Sequence, residues 1–377
     1  MFILVAVIMF ALLSGVNYYL AHSVWRFIHH FLPKFSVWIP FSVFTVLAVF
    51  MLLSFFKPFS GMLQWYISVI GTVWMGLIVY LLLFFVVSDI VSLIVWLCKF
   101  LPTSGLTTFR VAAGITATVL AISVSAYGII NAQIVKTVKY DVRLSDSANS
   151  ELTVALISDV HLGAIGSESR LEKIVNEINA LKPDIVCIAG DLFDTNYKSI
   201  IDPEKAIETL KKIDSVHGVY ACMGNHDAGK TLPEMEDFLK RANIILLKDE
   251  YTVIDNALIL VGRLDSSPIG GTGDLKRAPL AEVLEGVGDG LPIIVLDHNP
   301  ANIDTYRDEV DLILSGHTHR GQIFPGSLIT NAMYTVDYGY YRSDYGTQAI
   351  VTSGAGAWGL PMRVGTDCEV VWIKLTL

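Results

Sequence analysis

The sequence predicts an α/β domain over residues 151–377, preceded by an all-α bundle of about four membrane-spanning helices over residues 1–135, with 136–150 as a linker. Three observations predict this. Charge is divided sharply along the chain. The front part carries four apolar stretches of membrane-spanning length. The rear part alternates short apolar runs with amphipathic helices, and its apolar runs end in side chains able to hold metal ions.

The charge division comes first. Hydrophobic residues make up 53% of the 377 residues and charged ones only 17%, an apolar excess for a water-soluble chain. Residues 1–135 hold six charged side chains: Arg26, Lys34, Lys57, Asp89, Lys99 and Arg110. They leave 22 basic and 35 acidic residues behind them, so the front is +4 and the rear −13. A rear part this acidic is a poor nucleic-acid binder, because backbone affinity comes mainly from Lys and Arg, and no nucleic-acid partner is expected. If it handles phosphate, something other than its side chains supplies positive charge.

A bilayer-spanning helix needs about 20 mostly apolar residues. Residues 2–21, 35–56, 63–97 and 111–131 each qualify. The third stretch is overlong. It reads either as one tilted helix that projects from the membrane, or as a span followed by an interfacial helix after Asp89. A tight turn near Asp89 is not expected, since no Gly or Pro supports one. Asp89 itself is either functional within an apolar run or seated among headgroups. The first 21 residues lack Lys and Arg, so a retained helix is expected there rather than a cleaved signal peptide. Four spans place the N-terminus and the rear domain on one side. Basic residues flank both sides equally, and charges only after the first helix favour an extracytoplasmic rear domain. The polar run 145–150 ends the linker.

The rear part reads as follows. Strands are expected over 152–157, 184–189, 218–223, 244–247, 292–296 and 311–314, and helices over 168–181, 203–213 and 233–241. A hairpin is expected around Asp255-Asn256, with arms 251–254 and 257–263. From Leu328 onward the pattern is of Tyr- and Val-rich strands broken by glycines. Cys98, Cys187, Cys222 and Cys368 form no Cys-x-x-Cys and read as small apolar residues.

Clusters of possible ligands follow five of these strands: Asp159-Val-His161, Gly190-Asp191-Leu-Phe-Asp194, Gly224-Asn225-His226-Asp227, Asp297-His298-Asn299 and Gly316-His317-Thr-His319. Ligands in open α/β sheets bind beyond the carboxyl ends of strands, so the five clusters should meet at one rim. Residues two apart in extended chain point the same way, so Asp159 and His161 can share an ion. His317 and His319 have the same spacing. A carboxylate must bridge two ions held about 3.5–4 Å apart, and Asp191 is the natural candidate. Mixed Asp, His and Asn ligation without Cys suits Mn, Fe or Zn.

These motifs closely resemble those of the calcineurin-like metallophosphoesterases: Asp-x-His, Gly-Asp-x-x-Asp, Gly-Asn-His-(Asp/Glu), a lone His, and Gly-His-x-His. The resemblance covers about residues 151–377. The runs from Leu296 to Pro300 and from Gly316 to Gln322 are similar to a membrane-associated bacterial branch linked to UDP-2,3-diacylglucosamine hydrolysis. The whole arrangement resembles transmembrane proteins with a metallophosphoesterase domain. The resemblance implies a four-layer αββα sandwich. It implies that Asp159, His161, Asp191 and His319 hold one metal ion and that Asp191, Asn225, His298 and His317 hold a second. It implies that His226 acts on the substrate and that Asp227 orients it. A metal-bridging hydroxide would then attack a phosphate mono- or diester, and tethering makes a lipid-linked substrate plausible. Asp297 departs from the small residue common at that position; it either adds a supporting carboxylate or points into the core. Arg320 is either a contact to substrate phosphate or a solvated side chain. Two other readings remain: a catalytically weak metal-binding sensor, and a channel or transporter regulated by the rear domain.

Overall fold

A computed structural model describes residues 2–59, 61–144, 150–288, 290–306 and 309–377, with the side chains of residues 2–7 and 9 outside the description. The chain divides into two compact units, Met1–Gly128 and Ile129–Leu377.

The first unit is helical: α1 (Phe2–Phe31), α2 (Trp38–Phe56), α3 (Gly61–Leu97) and α4 (Thr103–Asn131), whose last turn belongs to the second unit. Among the described residues, α2, α3 and α4 are long and apolar enough to cross a membrane. The overlong stretch is one continuous helix of 37 residues, about 55 Å at the α-helical rise. Helices α2 and α3 approach closely at Gly71, where a Cβ would lie 2.5 Å from the Phe50 carbonyl oxygen. Asp89 is paired: Arg26 on α1 meets it at 2.9 Å and Tyr19 donates to it at 2.8 Å. Nearer the start of α1, Asn17 donates to Thr45 on α2 at 3.1 Å. In an apolar surround such polar pairs fix how helices face one another.

The second unit is built on β1 (Val135–Arg143), β2 (Glu151–Ile157), α5 (Ser167–Leu181), β3 (Ile185–Ala189), α6 (Pro203–Leu210), β4 (Val219–Cys222), α7 (Leu232–Arg241) and β5 (Ile244–Leu246). There follow β6 (Glu250–Ile254), β7 (Leu258–Gly262), the short α8 (Leu280–Val283), β8 (Ile293–Leu296), β9 (Leu312–Ser315), α9 (Gly326–Met333), β10 (Gly339–Arg342), β11 (Gln348–Val351) and β12 (Cys368–Thr376). They form two six-stranded sheets, ordered β1-β12-β2-β3-β4-β5 and β10-β11-β9-β8-β7-β6. Strands β2 to β5 run parallel in the first sheet, and β7, β8, β9 and β11 in the second.

Strand alternation explains the layers. Val154 and Leu156 of β2 join Leu260, Leu296 and Leu314 in a core between the sheets. The intervening Ala155 and Ile157 turn outward onto Ile174, Ile207 and Phe238 of α5, α6 and α7. A one-residue slip in β2 would exchange the two faces, so burial on both sides fixes the register. The second sheet's outer face buries Val261, Val295 and Ile313 under α8 and the turn Pro300–Thr305, a thinner cover than the helical layer opposite. The hairpin between β6 and β7 turns at Asp255 and Asn256, both at positive φ (49° and 50°), as a two-residue hairpin requires.

Two expectations are corrected. Residues 136–143 are not linker: β1 pairs with β12 in parallel register from Val135 opposite Cys368 to Arg143 opposite Thr376. Its exposed Lys136, Lys139, Asp141 and Arg143 are the charged side chains of an edge strand, and they hide it in the sequence. Residues 145–149 lie outside the described residues. The second correction is α9, which stands where the sequence suggested strand. Its apolar residues face outward, so no buried periodicity marks it.

Candidate metal centre

The five clusters follow β2, β3 and β4 of the first sheet and β8 and β9 of the second. Parallel strands end on one side, so both sheets deliver their clusters to the same rim. The chain turns sharply as it leaves each strand. Asp159, His161, Asp191, His317 and His319 all have positive φ, between 49° and 70°. Such backbone costs energy for residues with a Cβ and is concentrated at functional sites. Close approach also demands glycine. A Cβ on Gly190 would lie 2.6 Å from the Gly224 nitrogen and 2.8 Å from the His298 ring.

Three groups of donors converge: Asp159, His161 and His319; His161, Asp191 and His226; and Asp191, His298 and His317. Within each group the donor atoms lie within 4.8 Å of one another. Asp191 belongs to two of the groups, with Oδ2 3.1 Å from His298 Nε2 and 3.8 Å from His161 Nε2. His319 Nε2 is 3.2 Å from Asp159 Oδ1, and Asn225 Oδ1 is 2.9 Å from His317 Nδ1. All seven expected ligands are therefore brought together. His226, expected to stand apart from them, falls within the second group.

The donor chemistry fits divalent ions. His161 Nε2 faces His319 Nε2 at 3.2 Å, and His317 Nδ1 faces His298 Nε2 at 3.3 Å. Ring nitrogens facing each other need a proton or a cation between them. His298 Nδ1 meets the Ala189 carbonyl at 2.8 Å, and a carbonyl only accepts, so that nitrogen carries the proton. His298 Nε2 is thereby aimed at Asp191 and His317, the orientation a metal ligand needs once Nε2 gives up its proton. Burial pushes His161 down to about 3 and His317 down to about 4, so both rings are neutral near pH 7. His298 goes the other way: burial would lower it, but the Asp191 carboxylate holds it well above the ordinary imidazole range. Asp191 is correspondingly held down at about 2, against the effect of burial, chiefly by His298. One contact runs against simple ligation. Arg363, fully buried, approaches His319 Nδ1 at 3.1 Å as a donor. Ligation through His319 Nε2 would put the ring proton on Nδ1, so the Arg363 fork must shift.

Asp227 does not touch the His226 ring as expected. Its oxygens accept backbone N–H groups of Phe193 and Gly224, both at 2.9 Å, and of Leu192 at 3.4 Å. Burial, with Asp191 nearby, raises Asp227 to about 6. It is Thr195 whose hydroxyl contacts His226 Nδ1, while the His226 N–H donates to Asp191 Oδ1 at 2.7 Å. Trp358 packs edge-on against the same ring, 5.8 Å between centroids. Asp297 resolves toward a brace: it takes a two-point ion pair from Arg277 at 2.6 and 3.0 Å and the Tyr306 hydroxyl at 2.7 Å. The exposed Arg320 lies over the Tyr338 ring, 4.2 Å from its centroid.

Sequence reasoning missed Thr195, Trp358, Arg363 and Asp265. Asp265 follows β7 as the ligand clusters follow their strands, which was a usable signal. It is buried, its Oδ2 has no hydrogen-bond partner, and burial raises its pKa in a field that includes His298 and Asp191.

Comparison with known proteins agrees with this geometry. The family model for calcineurin-like phosphoesterase matches residues 152–321. An "Uncharacterized metallophosphoesterase" of Helicobacter pylori is 31% identical over 236 residues, 61% of this chain and 61% of that protein. One from Aquifex aeolicus is 30% identical over 258 residues, covering 68% of this chain and 97% of that protein. A "Transmembrane protein with metallophosphoesterase domain" of Danio rerio is 32% identical over 282 residues, 68% of this chain and 62% of that protein. The chain thus spans less than two thirds of the length of the Helicobacter and Danio relatives.

Proposed function

Because the chain belongs to the calcineurin-like metallophosphoesterases, we propose that it hydrolyses phosphate mono- or diesters at a two-ion centre. In this reading Asp159, His161, Asp191 and His319 hold one ion, and Asp191, Asn225, His298 and His317 hold the other. The observation that carries it is the convergence of donors from both sheets with facing ring nitrogens at 3.2 and 3.3 Å. Bound divalent ions supply Lewis acidity toward phosphoryl oxygens and an activated water at neutral pH, and Mn, Fe and Zn all suit this donor set.

The chain's own residues supply the rest. Asp191 Oδ1 holds the His226 backbone, and Thr195 engages ring nitrogen Nδ1. That leaves Nε2 to donate a proton to the departing ester oxygen. Asp227 holds the loops bearing Asp191 and Asn225 together through three backbone N–H groups. The helical unit anchors this chemistry in a bilayer, which favours a lipid-linked or nucleotide-lipid phosphoester as substrate. Four spans with the phosphoesterase unit on the extracytoplasmic side complete the reading.

The test is hydrolysis of a phosphomonoester, a phosphodiester and a UDP-lipid by the purified full chain with Mn added. His226→Ala should keep its metal by elemental analysis yet lose turnover by about 10²-fold or more. Turnover equal to wild type in that variant would remove His226 from the chemistry, and no hydrolysis of any ester by the wild type would overturn the reading.

A further inference from the structure

We propose that α9 is a bilayer-docking helix that seats the metal centre at the lipid–water boundary. The helix is amphipathic in the inverted sense. Leu328, Ile329, Ala332 and Met333 lie four apart in two pairs, so they share one face. That face points outward: Leu328 is 64% exposed, Ile329 61% and Met333 70%, and no residue of α9 is buried. The half-buried Thr330 turns toward the domain instead. Thr330 donates to Asp337 at 2.6 Å and Asn331 at 3.5 Å, and Asp337 is itself buried. Phe324, 44% exposed, extends the apolar surface just before the helix. A domain folding in water alone would bury such a face or make it polar, so an outward apolar stripe marks an interaction surface.

Two placements identify the occupant as the bilayer that the apolar helices enter. The first is the end of α4. Asn131, the last residue of that apolar helix, donates to the carbonyls of Arg363 at 3.3 Å and Thr366 at 2.9 Å. The same segment pairs with the approach to α9, through the Ile323–Val364 bridge and the Phe324 N–H to the Val364 carbonyl at 2.8 Å. The outward face of α9 therefore begins beside the point where the chain leaves its last apolar helix. A membrane there is a permanent neighbour at high effective concentration. The second placement is chemical: the half-exposed Trp358 is tied through its backbone to the Gln322 side chain at 2.8 and 2.9 Å, two residues before Phe324, and an indole favours the headgroup zone.

The docking face is joined to the chemistry at both ends. His319 precedes it, and Tyr334, directly after it, lies with its ring 6.3 Å from that of His317. Docking by α9 would present the centre to phosphoesters at headgroup depth. That consequence for substrate rests on the phosphoesterase reading above; the docking itself does not.

Depth-dependent quenching tests it without any turnover. The full chain, with Cys98→Ser to remove the exposed thiol, carries Ile329→Cys labelled with an environment-sensitive fluorophore. It is reconstituted into vesicles of phosphatidylcholine and phosphatidylglycerol containing spin-labelled lipid. A label at Val216, 74% exposed and away from α9 in sequence, is the reference. The Ile329 label should emit to the blue of the reference and be quenched about threefold more by lipid spin-labelled near the headgroup. Met333→Cys should behave alike, which guards against a fault of one variant. Emission and quenching matching the Val216 label would overturn the proposal. A blue shift that grows with protein density without lipid quenching would also overturn it, by assigning the face to a second copy of the chain.

Discussion

His298 is the residue where protonation and metal binding compete. Its Nδ1 proton is committed to Ala189, and its Nε2 shares a proton with Asp191 across 3.1 Å. An ion ligated by Nε2 must displace that proton. The carboxylate raises the ring's pKa against the effect of burial, so the metal-free ring keeps its proton to higher pH than an ordinary imidazole does. Metal affinity should therefore fall as pH falls, by about tenfold per pH unit while His298 remains protonated in the free protein. Titration calorimetry with Mn in buffers of different ionisation enthalpy should show about one proton released per chain from this pair. No proton release near pH 7 would remove His298 from the ligand set. The proposed ligands were legible in the sequence because each sits within a few residues of a strand end. Thr195 and Arg363 were not, because their partners His226 and His319 lie 31 and 44 residues away, and only the fold makes them neighbours.

Elements carry the next level of order, and the loop between β7 and β8 shows what holds a ligand strand in place. Arg277 from that loop forks onto Asp297, the residue before His298, and Tyr306 closes the cluster from the following turn. The Asp297 side chain is 1% exposed and that of Arg277 20%, so the pair is largely desolvated. Removing one partner leaves a buried charge unpaired, which costs about 3 kcal/mol or more. Arg277→Ala should lower the unfolding midpoint of the second unit by roughly 10 °C, and should weaken Mn binding because His298 loses its anchor. An unchanged midpoint, followed by near-UV circular dichroism, would show that Asp297 finds water or another partner. The parallel strands at the centre of each sheet were readable because, buried on both faces, they appear as unbroken apolar runs. Strand β1 was not, since an edge strand half covered with charge looks like linker. Helix α9 was not, because its large apolar side chains face outward. Each forgoes about 1.5–3 kcal/mol of burial that would otherwise have marked the helix by periodicity.

At the scale of the whole molecule, the centre joins the two sheets. Asp159, His161, Asp191 and Asn225 extend from β2, β3 and β4, while His298, His317 and His319 extend from β8 and β9 of the other sheet. Elsewhere the sheets meet through an apolar core that includes Leu156, Leu260, Leu296 and Leu314, with hydrogen bonds at one edge such as Gln348 Nε2 to the Arg143 carbonyl at 2.9 Å. Ions bound across the rim would therefore act as a clamp, and their binding free energy would become folding free energy of the second unit. They would also offset part of the −13 charge of the residues behind position 135. At a free metal concentration 100-fold above Kd the stabilisation is about 2.7 kcal/mol. Chelation should lower the unfolding midpoint of this unit by several degrees, and re-added Mn should restore it. Hydrogen exchange should show where the loss falls. Amides at 158–162, 190–195, 297–299 and 316–320 should lose protection on chelation, while α2 and α3, which contribute no ligand, should keep theirs. Equal midpoints and equal exchange with and without metal would show that the apolar core and the hydrogen bonds between the sheets hold them together without ions.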